Sequence, residues 1–379
     1  MLERINHMLI KEFIQIFRDP RMKGVIFLMP LVQVLVFGYA VTTDVKHVAT
    51  AVLDRDNSLE SRELLARFAR SGYFDLVAFP ADDREARALL DRGKVQTLLR
   101  LDHGFGAAVR AGKATQPGYV QLVADGTDSN TAGIVVAYGA RIVGNYAETA
   151  LRARLTRTLG KTPALPGVVL ASRAWFNENL ESRNFYVPGV IAILVMLITL
   201  MLTSMAVVRE KEIGTMEQIM VSPIRPIEFI LGKTVPFALI GFADVILVTV
   251  VGVFWFGVPI RGSLPLLFLA TGFYLMTTLG IGLLISTVSQ TQQQAMMGTF
   301  FFYFPAVLLS GFMFPIANMP PVIQWFTVLN PLRYFLVVIR GVFLKGLGPG
   351  VLWPQLAALL AMGICMLAFA SSRFQKTLS

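Results

Sequence analysis

Few residues in this sequence have the type and spacing to do chemistry. Gly232-Lys233-Thr234 has the ending of the phosphate loop G-x-x-x-x-G-K-[ST], whose backbone amides cradle nucleotide phosphates. The first glycine position holds Ile227, the intervening residues read as helix and no strand leads in, so that cradle cannot form. His7, His47 and His103 lie far apart, with no cysteine or second histidine at ligand spacing, which argues against zinc. Asp54, Asp56, Asp125 and Asp128 fall in LDRDNS and ADGTDSN, acidic loops of a kind that bind calcium or magnesium. Turns and helix caps demand the same residues, and that is the favoured reading. There is no G-x-S-x-G elbow or H-E-x-x-H pair. The one cysteine, Cys365, lies in an apolar stretch, so the chain has no internal disulfide or thiolate metal site. The expectation is a non-catalytic chain that binds no cofactor and no metal itself.

What remains is charge in unusual places. Asp244 sits within VPFALIGFADVILVTVVGV, where an ionisable residue marks a transport route or a buried partner. The same residue serves equally as a packing device, protonated or hydrogen-bonded to a neighbouring helix. Arg209-Glu210-Lys211-Glu212 opens a charged island that runs to Lys233 between two long apolar stretches. Ile213, Met216, Ile219 and Met220 recur near helical spacing, Ser222-Pro223 breaks the pattern, and a second short helix is expected from Pro226. The island reads as a helix-turn-helix elbow at a membrane surface.

The elements that must position these residues are membrane spans. Of 379 residues, 55% are hydrophobic and 15% charged, and the mean hydropathy is +0.62, outside the soluble range. Crossing about 30 Å of hydrocarbon takes about 20 apolar residues, and six stretches qualify: 24–41, 187–208, 235–257, 264–286, 295–314 and 351–370. Arg4, Lys11, Arg18, Arg21 and Lys23 precede the first, Arg209, Lys211, Arg225 and Lys233 follow the second, and Arg373 and Lys376 follow the sixth. If six spans alternate, all three groups fall on one side, which the positive-inside rule makes cytoplasmic together with both termini. Arg333, Arg340 and Lys345 then fall outside, an exception to that rule. The formal charge of +10 does not indicate nucleic acid, because residues 42–186 carry 19 basic and 16 acidic side chains and most of the excess anchors the spans.

The expected fold class is a polytopic α-helical membrane protein of six transmembrane helices, with an extracytoplasmic α/β domain between helices 1 and 2. Residues 1–23 form a cytoplasmic interfacial helix, with Leu2, Ile5, Leu9, Phe13 and Ile16 on its apolar face. Residues 24–41 are the first transmembrane helix. Gly38-Tyr39-Ala40 imitates a signal cleavage site, but about 23 residues including Glu3, Glu12 and Asp19 precede a run longer than a signal core, so the span is retained. Residues 42–186 form the α/β domain, with strands near 48–53, 74–79, 95–101 and 119–124 and helices near 58–71, 82–92 and 130–159. Residues 187–370 hold helices 2 to 6, with the cytoplasmic loop 209–234 and a hairpin at 315–346 that dips into the outer leaflet. Residues 371–379 are a cytoplasmic tail.

The run R-E-K-E-x-G-T-M-E-Q-I-x-V-S-P-I-x-x-x-E-F-I-L-G-K-x-x-P, Arg209 to Pro236, closely resembles the coupling loop of type-2 ABC exporter permeases. A second run resembles the segment after the fifth span of that family: Leu309-Ser310-Gly311-Phe312-Met313-Phe314-Pro315, Asn318-Met319-Pro320, Asn330-Pro331-Leu332-Arg333-Tyr334 and Ile339-Arg340-Gly341. With the large domain after the first span, the resemblance covers nearly the whole chain. It implies a bacterial inner-membrane permease subunit, multi-pass, that exports an amphipathic or drug-like substrate. It also implies a separate ATP-binding subunit that uses ATP and Mg, a second permease subunit in a homodimer or heterodimer, contact with membrane lipid, and a periplasmic adaptor as a further candidate partner. The residues it implicates in ATPase coupling are Arg209, Glu210, Lys211, Glu212, Gly214, Thr215, Glu217 and Pro223. For the transport route or its gating they are Gly311, Pro315, Asn330, Pro331, Arg333 and Arg340, beside Asp244 from the reading of the span. A membrane-anchored receptor or assembly protein acting through residues 42–186 is the alternative, and a secondary transporter a third, weakened by the lack of inverted repeats.

Overall fold

The computed structural model describes residues 2–18, 20–40, 45–111, 119–160, 175–177, 181–214 and 226–377. They form two compact units, one of residues 1–42 and 173–379 and one of residues 43–172. The first unit begins with helix α1 (Leu2–Arg18), the short α2 (Pro20–Lys23), one π-helical turn over Gly24–Leu28, and α3 (Met29–Ala40).

The second unit is a four-stranded sheet with helices on both faces. Its elements are β1 (Val48–Asp54), α4 (Leu59–Arg70), β2 (Phe74–Ala78), α5 (Asp83–Asp91), β3 (Thr97–Leu101), α6 (Phe105–Ala111), β4 (Val120–Ala124) and α7 (Ser129–Leu159). The order is β2-β1-β3-β4, with β1 parallel to both β2 and β3 and β4 antiparallel to β3. Alternation along the strands supplies two cores. Val48, Leu99 and Leu101 pack with Leu64, Phe68 and Tyr146 on one face, and Ala51, Leu53 and Leu98 with Ala86 on the other. Helix starts follow local chemistry: Ser58 accepts from the Ser61 amide at 3.1 Å and Asp82 from the Glu85 amide at 2.7 Å. The seven-residue α6 was not expected from the sequence.

The acidic loops serve as turns and caps. Asp54 accepts from the amides of Asp56 and Asn57, each at 3.0 Å, and from the Ser61 hydroxyl at 2.7 Å. Asp56 accepts from the amides of Gly104 and Gly106 at 2.8 Å each, tying the loop after β1 to the start of α6. Asp125 and Asp128 each accept from a threonine two or three residues on.

The other helices described in the first unit are α8 (Ser182–Ile213), α9 (Pro226–Phe254), α10 (Leu264–Val288), α11 (Gln292–Leu308), α12 (Pro321–Phe326), α13 (Pro331–Arg340) and α14 (Pro349–Thr377). Among the described residues, four helices are long and apolar enough to cross a membrane: Ser182–Ile213, Glu228–Phe254, Leu264–Val288 and Pro349–Ser372. A bent pair, Pro321–Leu329 with Pro331–Lys345 at 82°, would make five if counted as one span. α8 is the axis of the bundle, with 83% of its apolar window buried against 22% for the last helix. Small residues let its neighbours close in. A side chain at Gly282 of α10 would meet Thr203 of α8 at 2.9 Å, and one at Gly280 would meet Met366 of α14 at 2.8 Å. Hydroxyls bridge the helices, Thr199 to Thr278 at 3.0 Å and Ser204 to Thr299 at 2.9 Å.

Several expectations change. The stretch at 24–41 contains an apolar helix only over Gly24–Tyr39. The stretch at 295–314 becomes a 17-residue helix that stops at Leu308, about 25 Å at 1.5 Å per residue, because the chain turns at Ser310-Gly311 with Gly311 at φ 83°. Of the apolar face expected on α1, Ile16 is buried and Ile10, Ile14 and Phe17 form a second, exposed set. No separate short helix starts at Pro226, since Pro226–Phe254 is continuous. The first half of the elbow, 215–225, lies outside the described residues, as do the side chains of Leu2 and Ile5.

Hydrogen bonds from the Ser58 hydroxyl and the amides of Gly106 and Gly104 hold the Asp56 carboxyl below the usual carboxylate range. Its contribution is therefore complete above about pH 4, the unfolded value, and is lost as pH falls through the lower folded value. Asp56→Ala should weaken the unit by about 1 kcal/mol or more. Hydrogen exchange on the full chain should then speed up in peptides covering 102–111, and below pH 4 the difference from the parent should shrink.

Candidate functional site

The last turn of α8 carries the charge cluster, and three consecutive residues leave it in three directions, about 100° apart. Glu210 is buried, its carboxylate accepting from Lys233 at 2.9 Å and from Lys11 at 3.0 Å. Lys211 donates to the carbonyls of Ser286 at 2.9 Å and Ser289 at 3.2 Å, groups at the C-terminal end of α10 that lack helical partners. Glu212 accepts from the Gln292 backbone N–H at 2.7 Å and also from the Gln292 side-chain amide, at the positive N-terminal end of α11. Gly214 ends the helix in the left-handed region, φ 79°, which glycine adopts without steric cost. Arg209 is half-buried. Of the coupling residues expected, Thr215, Glu217 and Pro223 lie outside the described residues.

The centre of this arrangement is Lys233. Its side chain is 2% exposed and donates to Glu12 of α1 at 2.6 Å as well as to Glu210. Taking an ammonium and two carboxylates out of water is costly, and removing one partner leaves the others uncompensated. Lys11, 54% exposed, supplies a second positive charge at the rim, so two cations face two anions. Gly232 lies against Met8 of α1, where an added side chain would meet the Met8 Cβ at 2.9 Å. The lysine that imitates a phosphate-loop ending is thus an internal counter-ion.

The expected route residues fall into separate places. Asp244 is 1% exposed on α9, and neither carboxylate oxygen has a hydrogen-bond partner. Gly311 and Arg340 come together, the Arg340 guanidinium donating to the Gly311 carbonyl at 3.4 Å and lying 3.7 Å over the Phe185 ring. Asn330 caps α13, accepting from the Leu332 amide at 3.1 Å and donating to the Ala306 carbonyl at 2.7 Å, with Pro331 at the first helical position. Arg333 donates to the Thr327 hydroxyl at 2.6 Å, and Pro315 precedes the 3-10 turn Ile316–Asn318. Past Arg340, the chain pairs with the turn before α10, where Gly262 donates to Val342 at 2.9 Å and Arg261 to Phe343 at 3.0 Å. The residues that sequence reasoning missed are Glu12 and the structural use of Lys233. For Lys233 the signal was a charge at the edge of a long apolar run; Glu12, one of several charges on an amphipathic helix, carried none.

Residues 24–371 match the family model described as ABC-2 family transporter protein. The probable multidrug ABC transporter permease YbhR of Escherichia coli (strain K12) is 33% identical over 362 residues, 96% of this chain and 95% of the relative. YbhS of the same organism, which carries the same description, is 32% identical over 363 residues, 95% and 94% of the two chains. The inner membrane transport permease YhhJ, also from that strain, is 30% identical over 335 residues, 86% and 85%.

Lys233→Met should lower stability by about 3–5 kcal/mol, because two buried carboxylates lose their shared cation. Glu12→Gln should cost less, since Lys233 keeps Glu210. Thermal melting in detergent followed by size exclusion should rank the variants in that order.

Proposed function

This chain belongs to the ABC-2 transporter family, and we propose that it is the membrane-spanning subunit of an ATP-driven exporter of amphipathic or drug-like compounds. The energy comes from a separate ATP-binding subunit, which uses ATP and Mg and docks on the 209–234 segment. The observation that carries this reading is the fastening of helix ends around that segment. Glu210, Lys211 and Glu212 connect α8 to α1, α9, α10 and the start of α11 through charged hydrogen bonds. A force applied between Gly214 and Pro226 therefore reaches five helices at once. The relatives named multidrug permeases support the substrate class.

In this reading six helices cross or enter the membrane, the unit of residues 43–172 lies outside, and both termini are cytoplasmic. A second copy or a close relative completes the route, and the outer unit offers a surface to a periplasmic adaptor. Exposed tryptophans support the orientation. Trp255 and Trp353 are exposed at the ends of α9 and α14 away from the charged fastening, as aromatic residues are at a membrane–water boundary. The outer position of Arg340 and Lys345, against the charge rule, is supported by their rings: Phe185 under Arg340 and Phe176 at 5.8 Å from Lys345. Residues 315–346 then dip and return on the outer side, joined at Gly311 and Arg340.

An affinity-tagged chain should co-purify with an ATP-binding subunit. Met216→Pro should abolish ATP-driven dye export in inverted vesicles while membrane insertion stays normal. Retained export in that variant would refute the coupling role of the segment.

In a Cys365→Ser background, Asn318→Cys and Gly348→Cys should both react with an impermeant thiol reagent applied outside intact spheroplasts. Labelling of Asn318→Cys alone would mean that the bent pair crosses.

A further inference from the structure

Between α1, α8 and α9 the chain forms a half-open cavity of about 330 Å³, within the size range of small-molecule sites. Its apolar wall comes from Ile16, Met22, Val25, Met201, Met205 and Phe237. Three of these are methionines, whose flexible thioethers adapt to varied shapes. One end is polar, with Glu12, Gln15, Arg209 and Gln292.

The charges at that end are not balanced. Glu12 is matched by Lys233 at 2.6 Å, and Gln292 is held by Glu212. Arg209 is half-buried and has no hydrogen-bond or ion-pair partner among the described residues. The cavity thus joins an apolar body to one unsatisfied guanidinium, whose donors suit a carboxylate, sulfonate or phosphate.

We propose that this cavity binds a compact amphipathic anion, its acidic group on Arg209 and its apolar body along Met22, Met201, Met205 and Phe237. One chain builds the whole site, so binding does not require a second permease. That the bound anion is export cargo rests on the function proposed above. The cavity holds one drug-sized body rather than the two acyl chains of a phospholipid. Arg209 adjoins Glu210, so an occupant would sit one residue from the fastening of the helix ends.

The test is titration of the full chain in lipid nanodiscs with anilinonaphthalenesulfonate, empty nanodiscs being subtracted. Saturable one-site binding is expected. Arg209→Gln should weaken it by about ten- to a hundredfold, Arg209→Lys should recover part of the loss, and Met205→Trp, which fills the cavity, should remove it. Met22→Trp fills the same space from the other wall and serves if Met205→Trp does not fold by size exclusion. The cationic dye acridine orange should bind the parent weakly. Unchanged anion affinity in Arg209→Gln and in a folded filling variant would overturn the proposal, as would preferential binding of the cation. Native mass spectrometry that finds a phospholipid in the parent, lost in the filling variant and displaced by the anion, would overturn it in favour of lipid. No saturable anion binding by the parent, with the ATP-binding subunit still co-purifying, condemns this site alone. Retained binding with no such subunit condemns the exporter reading alone.

Discussion

A buried ammonium has to be surrounded by negative charge, and Lys233 meets that requirement with carboxylates from two different helices. The requirement fixes α1 to α8 and α9 where otherwise only apolar contact would hold it. Apolar contact tolerates sliding, whereas a charged hydrogen bond of under 3 Å has direction and length. The neighbouring residues extend the constraint: Lys211 reaches the end of α10 and Glu212 the start of α11. The positions of five helices at one end of the bundle therefore depend on three consecutive residues of α8, Glu210 to Glu212, and on Lys233.

Local interactions were legible in the sequence. Ser58 and Asp82 cap helices through amides three residues ahead, and the four strands lie where their apolar runs place them, β1 and β3 buried almost throughout because helices cover both faces of the sheet. The acidic loops are legible as turns because Asp, Asn, Ser and Gly are the residues that turns and caps demand, and Asp54, Asp125 and Asp128 find partners within a few residues. Asp56 shows the limit, since its place in a turn was visible but its bonds to Gly104 and Gly106 were not. The short α6 was missed because seven residues give too little periodicity to stand out.

Element ends were less legible, for a physical reason. Hydropathy ends a span at the first charges, yet α8 continues through Glu210, Lys211 and Glu212 because each charge is matched by another helix. It ends where the backbone demands it, at Gly214. The opposite error occurred near Leu308, where apolar residues continue to Phe314 but the helix does not. The candidate site was visible as a charge cluster with coupling roles implied by resemblance. Its geometry was not, because the partner of Lys233 lies at the other end of the chain.

That separation has a consequence for how the protein is made. Glu12 and Lys233 are 221 residues apart, and at about 5–20 residues per second a ribosome needs roughly 11–44 s to cover the interval. For that time α1 is complete but its Glu12 carboxylate has no ammonium to meet, so hydration must hold it at the water boundary. α1 is thus made well before the contact that locks it in place. A nascent chain that stalls before Lys233 would present a solvated carboxylate on a half-apolar helix, a mark by which membrane quality control could tell unfinished molecules from finished ones.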